Sequence, residues 1–241
     1  LPGQAEPVAR GLTAGMRAVV FDFFGTLTPV SPAQTWAGHA ASLAAAMGVP
    51  VADLVEVLNE TFPDRITGAY GGVAETLQVL ASRLGVTLTD SQLAQATRIR
   101  RERQEAMFGL RPETLGVIGA LRDRGLPIGL VSDCTIELPE AWSGLPLAPL
   151  VDVPLFSCLE GTRKPDPRLF RKVAAGLRTE PGGCLYVGDG GGDELPGAAT
   201  VGMRAVLLAG PDWDNHPMPA LGPGGVRWTG ERISSLTELL G

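Results

Sequence analysis

One run of residues limits the fold of this chain more than any other: Ala18-Val19-Val20-Phe21, followed at once by Asp22. Four consecutive apolar residues, two of them valines, read as a buried strand. The run ends on a carboxylate, and Gly25 and Thr26 follow in a turn-permissive stretch. Open α/β sheets bind ligands in the crevice at the carboxyl ends of their strands. An Asp placed there serves as a nucleophile or a metal ligand. A strand ending in a helix-capping Asp fits the same residues, and this run alone leaves both open.

The stretches that follow set the context. Trp36, Ala40, Leu43 and Met47 fall at helical spacing, and Gly48-Val49-Pro50 stops that helix. Asp53 to Glu60 reads as a short helix, Thr61 to Gly72 as a loop, and Val73, Leu77, Leu80, Ala81 and Leu84 as a helical stripe. Leu93, Ala96 and Ile99 continue the pattern in another helix, and no strand pattern occurs between residues 31 and 110. The arginines at 98, 100, 101 and 103 interleave with Glu102 and Glu105 and read as a solvated helix face.

From Arg111 onward the pattern alternates. A helix over Pro112–Arg124 precedes a strand over Pro127–Val131 that ends at Ser132-Asp133. A strand over Val151–Phe156 and a helix over Pro165–Leu177 come next, then a strand over Cys184–Val187 that ends at Gly188-Asp189. Asp193–Val201 reads as a helix and Arg204–Leu208 as a strand. Residues 210–230 are irregular, and Ile233, Leu236, Leu239 and Leu240 mark a last helix. Such alternation implies a parallel sheet covered on both faces.

Composition narrows the function classes. The 241 residues suit one large domain, or one domain with an insertion, and 44% of them are hydrophobic, enough for a sizeable core. A net charge of −6 argues against a nucleic-acid partner, while a small anionic substrate is still compatible with it. No apolar stretch reaches membrane-spanning length, so no membrane partner is expected. Residues 1–16 read as a flexible tail without the apolar segment of a signal peptide. Three scattered cysteines without zinc spacing suit a reducing, cytoplasmic compartment.

Four strand ends or loop starts then carry polar groups: Asp22 with Thr26, Ser132, Lys164, and Asp189 with Asp193. Together they supply a nucleophile, a hydroxyl donor, a cation and an acidic pair suited to Mg2+. That set suits phosphoryl transfer, which rests on positioning and charge neutralisation.

In sequence order these are Asp22-Phe23-Phe24-Gly25-Thr26, the Ser132 ending Ile128-Gly129-Leu130-Val131, Lys164-Pro165-Asp166-Pro167, and Val187-Gly188-Asp189-Gly190-Gly191-Gly192-Asp193-Glu194. Over about residues 17–208 this order resembles the haloacid dehalogenase superfamily of hydrolases, in the form with a helical cap after the first strand. The resemblance implies a Rossmann-like α/β/α three-layer fold with a parallel sheet of order 5-4-1-2-3. The core would comprise residues 17–30 and 111–241, and the cap residues 31–110. It implies an aspartyl-phosphate on Asp22, with Ser132 and Lys164 holding phosphoryl oxygens and Thr26 at the phosphate site. It also implies Mg2+ held by Asp22, the Phe24 carbonyl and Asp189, with Asp193 and Glu194 nearby. The substrate would be a small phosphorylated molecule, and the protein a monomer or homodimer.

The departure from the family pattern lies at Phe24. Family phosphatases carry a second Asp there, which protonates the leaving group and then activates water. Phe24 can do neither, and such help is worth about a hundred- to ten-thousandfold. Asp133 and Asp64 are candidate substitutes. Arg65 is the candidate anion contact in the glycine-rich loop of the insertion, with Thr67 and Tyr70 beside it. Two alternatives fit the same departure: a 2-haloacid dehalogenase, and a binding protein with a degraded site. Retention of Asp189 counts against the first. Retention of Asp22, Lys164 and Asp189 counts against the second.

Overall fold

The computed structural model describes residues 11–30, 33–212 and 228–241. In chain order it contains β1 (Ala18–Phe21), α1 (Ala33–Met47), α2 (Val51–Glu60), α3 (Phe62–Ile66), α4 (Val73–Arg83), α5 (Asp90–Ala106) and α6 (Thr114–Asp123). Then follow β2 (Ile128–Ser132), α7 (Glu137–Ala141), β3 (Val153–Phe156), α8 (Ser157–Glu160), α9 (Pro167–Gly176) and β4 (Cys184–Gly188). The last elements are α10 (Glu194–Thr200), β5 (Arg204–Leu208), β6 (Glu231–Ile233) and a 3-10 helix over Leu236–Leu240.

The six strands form one parallel sheet in the order β3-β2-β1-β4-β5-β6. Successive side chains of a strand point to opposite faces, and both faces here are buried. Val19, Phe21, Ile128, Leu130, Leu185, Val187 and Val206 pack on one side with Val117, Ile118 and Leu121 of α6 and with Leu236 and Leu239. Val20, Val131, Tyr186 and Leu207 pack on the other with Leu169, Phe170 and Val173 of α9 and with Leu195 and Ala198 of α10. Burying one such aliphatic side chain stabilises the fold by about 1.5–3 kcal/mol, so the uninterrupted apolar runs of the strands fit only a sheet covered twice. Asp166 caps α9 by accepting a hydrogen bond from Arg168 N at 2.9 Å.

Helices α1–α5 lie between β1 and α6 and hold an apolar cluster of their own. Leu43, Met47, Leu54, Val57, Leu77, Leu80 and Ala96 are buried in it. Ile136, just before α7, packs against both this cluster and the core beneath the sheet. No single helix among the described residues is long and apolar enough to cross a membrane.

Four expectations need correction. The sheet gains a sixth strand, because Ile233 pairs with Leu208 in β6 and leaves only Leu236–Leu240 as a helical turn. The loop expected over Thr61–Gly72 contains α3, begun by Pro63 in its first turn and buried through Arg65 and Ile66. Residues 11–16 are not loose: Leu12 and Met16 pack on the core, and Arg204 donates to the Leu12 carbonyl at 2.7 Å. The arginines of α5 split between two faces. Arg98 and Arg101 are exposed, whereas Arg100 and Arg103 are buried. Helical spacing explains the split, since Ala96, Arg100 and Arg103 share one stripe and it faces inward.

Candidate active site

The register of the sheet gathers the polar strand ends. Phe21 lies opposite Leu130 and Val187, Ser132 opposite Phe156, and Gly188 opposite Leu207. Asp22, Ser132 and Asp189 therefore leave the sheet at the same edge, on β1, β2 and β4. The Asp22 amide still donates to the Val187 carbonyl at 2.9 Å, which fixes its backbone to the neighbouring strand.

Lys164 reaches this edge from the loop before α9. Its ammonium donates to Asp22 Oδ1 and Glu194 Oε2, each at 2.5 Å, and lies 3.5 Å from the Tyr186 hydroxyl. Tyr186 donates to Glu194 Oε2 at 2.8 Å, and Gly190 N donates to Glu194 Oε1 at 2.9 Å. All four side chains are buried. Burial works against the Lys164 charge, but Asp22 and Glu194 outweigh it and hold the ammonium protonated well above its ordinary range. Burial pushes the Asp22 carboxyl up to about 6, with Lys164 opposing the shift and Asp189 adding to it.

The loop after Asp22 is shaped by one glycine and one arginine. Gly25 has φ +76°, in the left-handed region, and a Cβ there would lie 2.0 Å from Asp189 Oδ2. Glycine thus lets Asp189 sit against the first loop. Arg111 donates to the carbonyls of Gly25 at 2.8 Å and Thr26 at 3.0 Å, and is itself held by both carboxylate oxygens of Asp212. Thr26 Oγ1 donates to Asp22 Oδ2 at 3.1 Å. Ser132 Oγ is fully buried, with no hydrogen-bond partner among the described residues beyond the soft Cys134 thiol beside it.

Asp22, Asp189 and Glu194 each place a carboxylate oxygen within 4.8 Å of the others. Three carboxylates gathered this closely, two of them on the Lys164 ammonium, fit a hard divalent cation. Both Glu194 oxygens are already engaged, by Lys164 with Tyr186 and by Gly190 N, so Glu194 is the anchor of Lys164. Asp22 is engaged as well, by Lys164 and Thr26, and Asp189 lies beside it at the strand ends, so these two carboxylates could hold a metal with Glu194 behind them. Asp193, expected beside them, is not in this group; it begins α10 with φ +54°.

The remaining candidates lie in separate places. Asp133 accepts from Lys164 N at 2.9 Å, and burial raises its carboxyl pKa, so it braces the Lys164 loop. Asp64 is exposed, where it accepts from Tyr70 at 2.6 Å beside Arg83, while Thr67 bonds back to the carbonyls of Pro63 and Asp64. Arg65 is buried, donates to Thr61 Oγ1 and to the Leu58 carbonyl, and stacks over Phe62. Phe24 is half-buried, edge-on to Phe23 at 4.9 Å and 6.3 Å from Phe108. His216 and Trp213 lie outside the described residues.

Sequence reasoning missed Tyr186, Arg111 and Asp212. Tyr186 lies in an apolar strand, where alternation alone marks it as core. Arg111 sits at an element boundary that carries no motif.

A family model for a haloacid dehalogenase-like hydrolase matches residues 16–202, which hold Asp22, Thr26, Ser132, Lys164, Asp189 and Glu194. The chain belongs to that family. Among curated proteins it is 35% identical over 91 residues to haloacid dehalogenase-like hydrolase domain-containing protein 3 of Bos taurus, covering 38% of this chain and 36% of that one. It is 33% identical over 107 residues to a phosphoserine phosphatase of Thermus thermophilus, covering 44% and 43%. The matches thus span less than half the length of these relatives. Among solved structures, a 2-haloacid dehalogenase of Pseudomonas syringae pv. Tomato DC3000 superposes with a TM-score of 0.67 at 22% identity, over 93% of this chain and 96% of that one. A phosphatase of the same superfamily from Thermococcus onnurineus gives 0.59 at 23% identity, over 93% and 96%. At such identity these two show the shared fold.

Proposed function

We propose that this protein is a Mg2+-dependent phosphatase that hydrolyses a small phosphorylated molecule through Asp22. The observation that carries the reading is the buried contact of Lys164 with Asp22, opposite Asp189 across Gly25. Asp22 attacks phosphorus, the bond to the ester oxygen breaks, and a mixed anhydride forms on the carboxylate. Water then cleaves that anhydride and regenerates Asp22. Lys164 keeps Asp22 ionised and neutralises charge on the transferring group, and Ser132 Oγ supplies a buried donor for a phosphoryl oxygen. Asp22, the Phe24 carbonyl and Asp189 would hold Mg2+, which supplies further charge neutralisation at phosphorus when bound. Arg65 braces the chain between α2 and α3, and helices α1–α5 act as the cap that shelters the site from water. The phosphatase relatives support this reaction class.

Phe24 gives the reaction its character. No carboxylic acid stands there to protonate a leaving group, so the enzyme favours substrates with good leaving groups or an internal proton source. The same feature supports a second reading, displacement of halide from a 2-haloacid, which needs no such acid. The Asp22–Asp189 pair favours the phosphatase. Release of p-nitrophenol from its phosphate ester with and without Mg2+, set beside chloride release from 2-chloropropionate, separates the two.

A further inference from the structure

Three distant segments of the chain meet at one buried arginine. Arg111 stands where the chain returns from α5 and approaches α6. Its guanidinium donates to the Gly25 and Thr26 carbonyls, in the turn after Asp22, and to both carboxylate oxygens of Asp212, beyond β5. Its own amide donates to the Leu27 carbonyl at 2.9 Å, which Thr114 Oγ1 also reaches at 2.9 Å. Asp212 in turn accepts from Val30 N at 2.7 Å, shortly before α1 begins. One ion pair thus touches the turn behind Asp22 and both places where the chain passes between the sheet and helices α1–α5. A Cβ at Gly210 would lie 2.9 Å from Asp212 Oδ1 and 3.3 Å from Arg111 Nη1, so glycine there leaves the pair its room.

The arrangement fixes direction as well as charge. A guanidinium presents its donors in a rigid plane, so a carboxylate that grips one edge aims the other. Asp212 takes the Nη1–Nη2 edge, and Nε with Nη2 meets the two carbonyls. Burial opposes the Asp212 charge, but its contacts with Arg111 and Val30 N outweigh that and hold the carboxyl below its ordinary value. The turn so held carries groups that surround Asp22. Thr26 Oγ1 donates to Asp22 Oδ2 at 3.1 Å, and Gly25 abuts Asp189. The Phe24 carbonyl belongs to the peptide unit whose N–H, on Gly25, donates to Thr28 Oγ1 at 3.2 Å. In a trans peptide the carbonyl points away from that N–H, so its aim is set by the same turn. Among the described residues Arg111 forms no hydrogen bond or ion pair with Asp22, so its effect there passes through the turn.

We propose that Arg111 and Asp212 are positioning residues for the reaction at Asp22. Their ion pair sets the Phe24 carbonyl and the Thr26 hydroxyl against Asp22 and Asp189 from behind the turn, and so governs Mg2+ affinity and turnover. This rests on the phosphatase reading and adds the residues that hold its site in register. Supporting contacts one layer behind a metal site are typically worth about ten- to a hundredfold in metal affinity or activity.

The test measures three quantities across a set of variants: p-nitrophenyl phosphate kinetics, Mg2+ affinity of the substrate-free protein by titration calorimetry, and Tm. Arg111→Met keeps apolar bulk and removes the fork. It is expected to lower kcat and weaken Mg2+ binding, each about tenfold or more, with KM within about threefold of the wild type. Arg111→Lys keeps the charge without the fork and is expected to recover part of the loss. Because Arg111→Met leaves Asp212 without its cation, Arg111→Met/Asp212→Asn removes that charge as well; it should melt closer to the wild type and keep the kinetic defect. Asp212→Asn alone, the mildest change, should give a smaller form of the same defect and carries the test if Arg111→Met does not fold. Arg122→Met breaks a comparable pair, Arg122 with Asp152 at 2.7 Å beside the start of β2, and reads what lost stability alone does. There Tm is expected to fall while kcat and Mg2+ affinity hold. Wild-type kcat and Mg2+ affinity in the folded Arg111 and Asp212 variants overturn the proposal and leave the phosphatase reading standing, as does a defect that Arg122→Met reproduces at equal Tm. A wild type that hydrolyses no p-nitrophenyl phosphate overturns both.

Discussion

The Lys164 ammonium lies 2.5 Å from Asp22 Oδ1, across 142 positions of sequence, and both side chains are buried. Glu194 grips the same ammonium from the other side at 2.5 Å. Asp22 therefore meets a cation that is itself fixed. Glu194→Gln keeps the shape but removes the charge that anchors Lys164. It is expected to lower kcat by about ten- to a hundredfold, with a smaller change in KM, in steady-state kinetics. Glu194→Ala also removes the acceptor of Tyr186, and should lower stability to urea by about 3 kcal/mol.

Gly25 holds a place that no side chain can take. Its φ of +76° and the 2.0 Å approach of Asp189 Oδ2 to its would-be Cβ both oppose substitution. Gly25→Ala is expected to displace Asp189 and weaken Mg2+ binding at least about tenfold by titration calorimetry, at a stability cost of about 1–2 kcal/mol.

Phe24→Asp should restore an acid. The prediction is a gain of about a hundredfold in kcat/KM for alkyl phosphates and little gain for the p-nitrophenyl ester, whose leaving group barely needs a proton. The cost is the lost packing on Phe23 and Phe108, about 1–3 kcal/mol in thermal or urea unfolding.

Acid sensitivity of the fold is testable at Asp152. Its carboxylate accepts from Ile128 N at 2.8 Å and Arg122 at 2.7 Å, just before β3. Burial opposes the charge, but the Arg122 and Ile128 contacts outweigh it and depress its pKa. A depressed carboxyl stabilises the fold above the unfolded value of about 3.9 and loses that contribution as pH falls through the lower folded value. Wild type should exceed Asp152→Asn by about 0.5–1 kcal/mol near neutrality, given the exposure of the ion pair. Urea midpoints near pH 3 should show the gap closing.

Much of this was legible in the sequence, for a physical reason. Strands such as Ala18–Phe21 and Cys184–Gly188 are buried on both faces, so they appear as unbroken apolar runs, and the carboxylates that end them mark the crevice. Long-range geometry was not legible. Nothing local tells whether an arginine at position 100 faces water or the interior, because the helix stripe that buries it begins with a small residue, Ala96. Tyr186 hides in an apolar strand because its hydroxyl finds Glu194 only after α10 folds back. The choice of Glu194 over Asp193 turns on backbone conformation. Asp193 takes a left-handed φ at the start of α10, while the next side chain reaches Lys164.

The central claim is that Asp22 carries the phosphoryl group in a Mg2+-dependent reaction. The direct measurement is p-nitrophenol release from p-nitrophenyl phosphate, with Mg2+ and with the ion chelated, in the wild type and in Asp22→Asn. Turnover that requires both the ion and Asp22 is the predicted result. Turnover that persists in Asp22→Asn, or none in the Mg2+-supplied wild type, would contradict it.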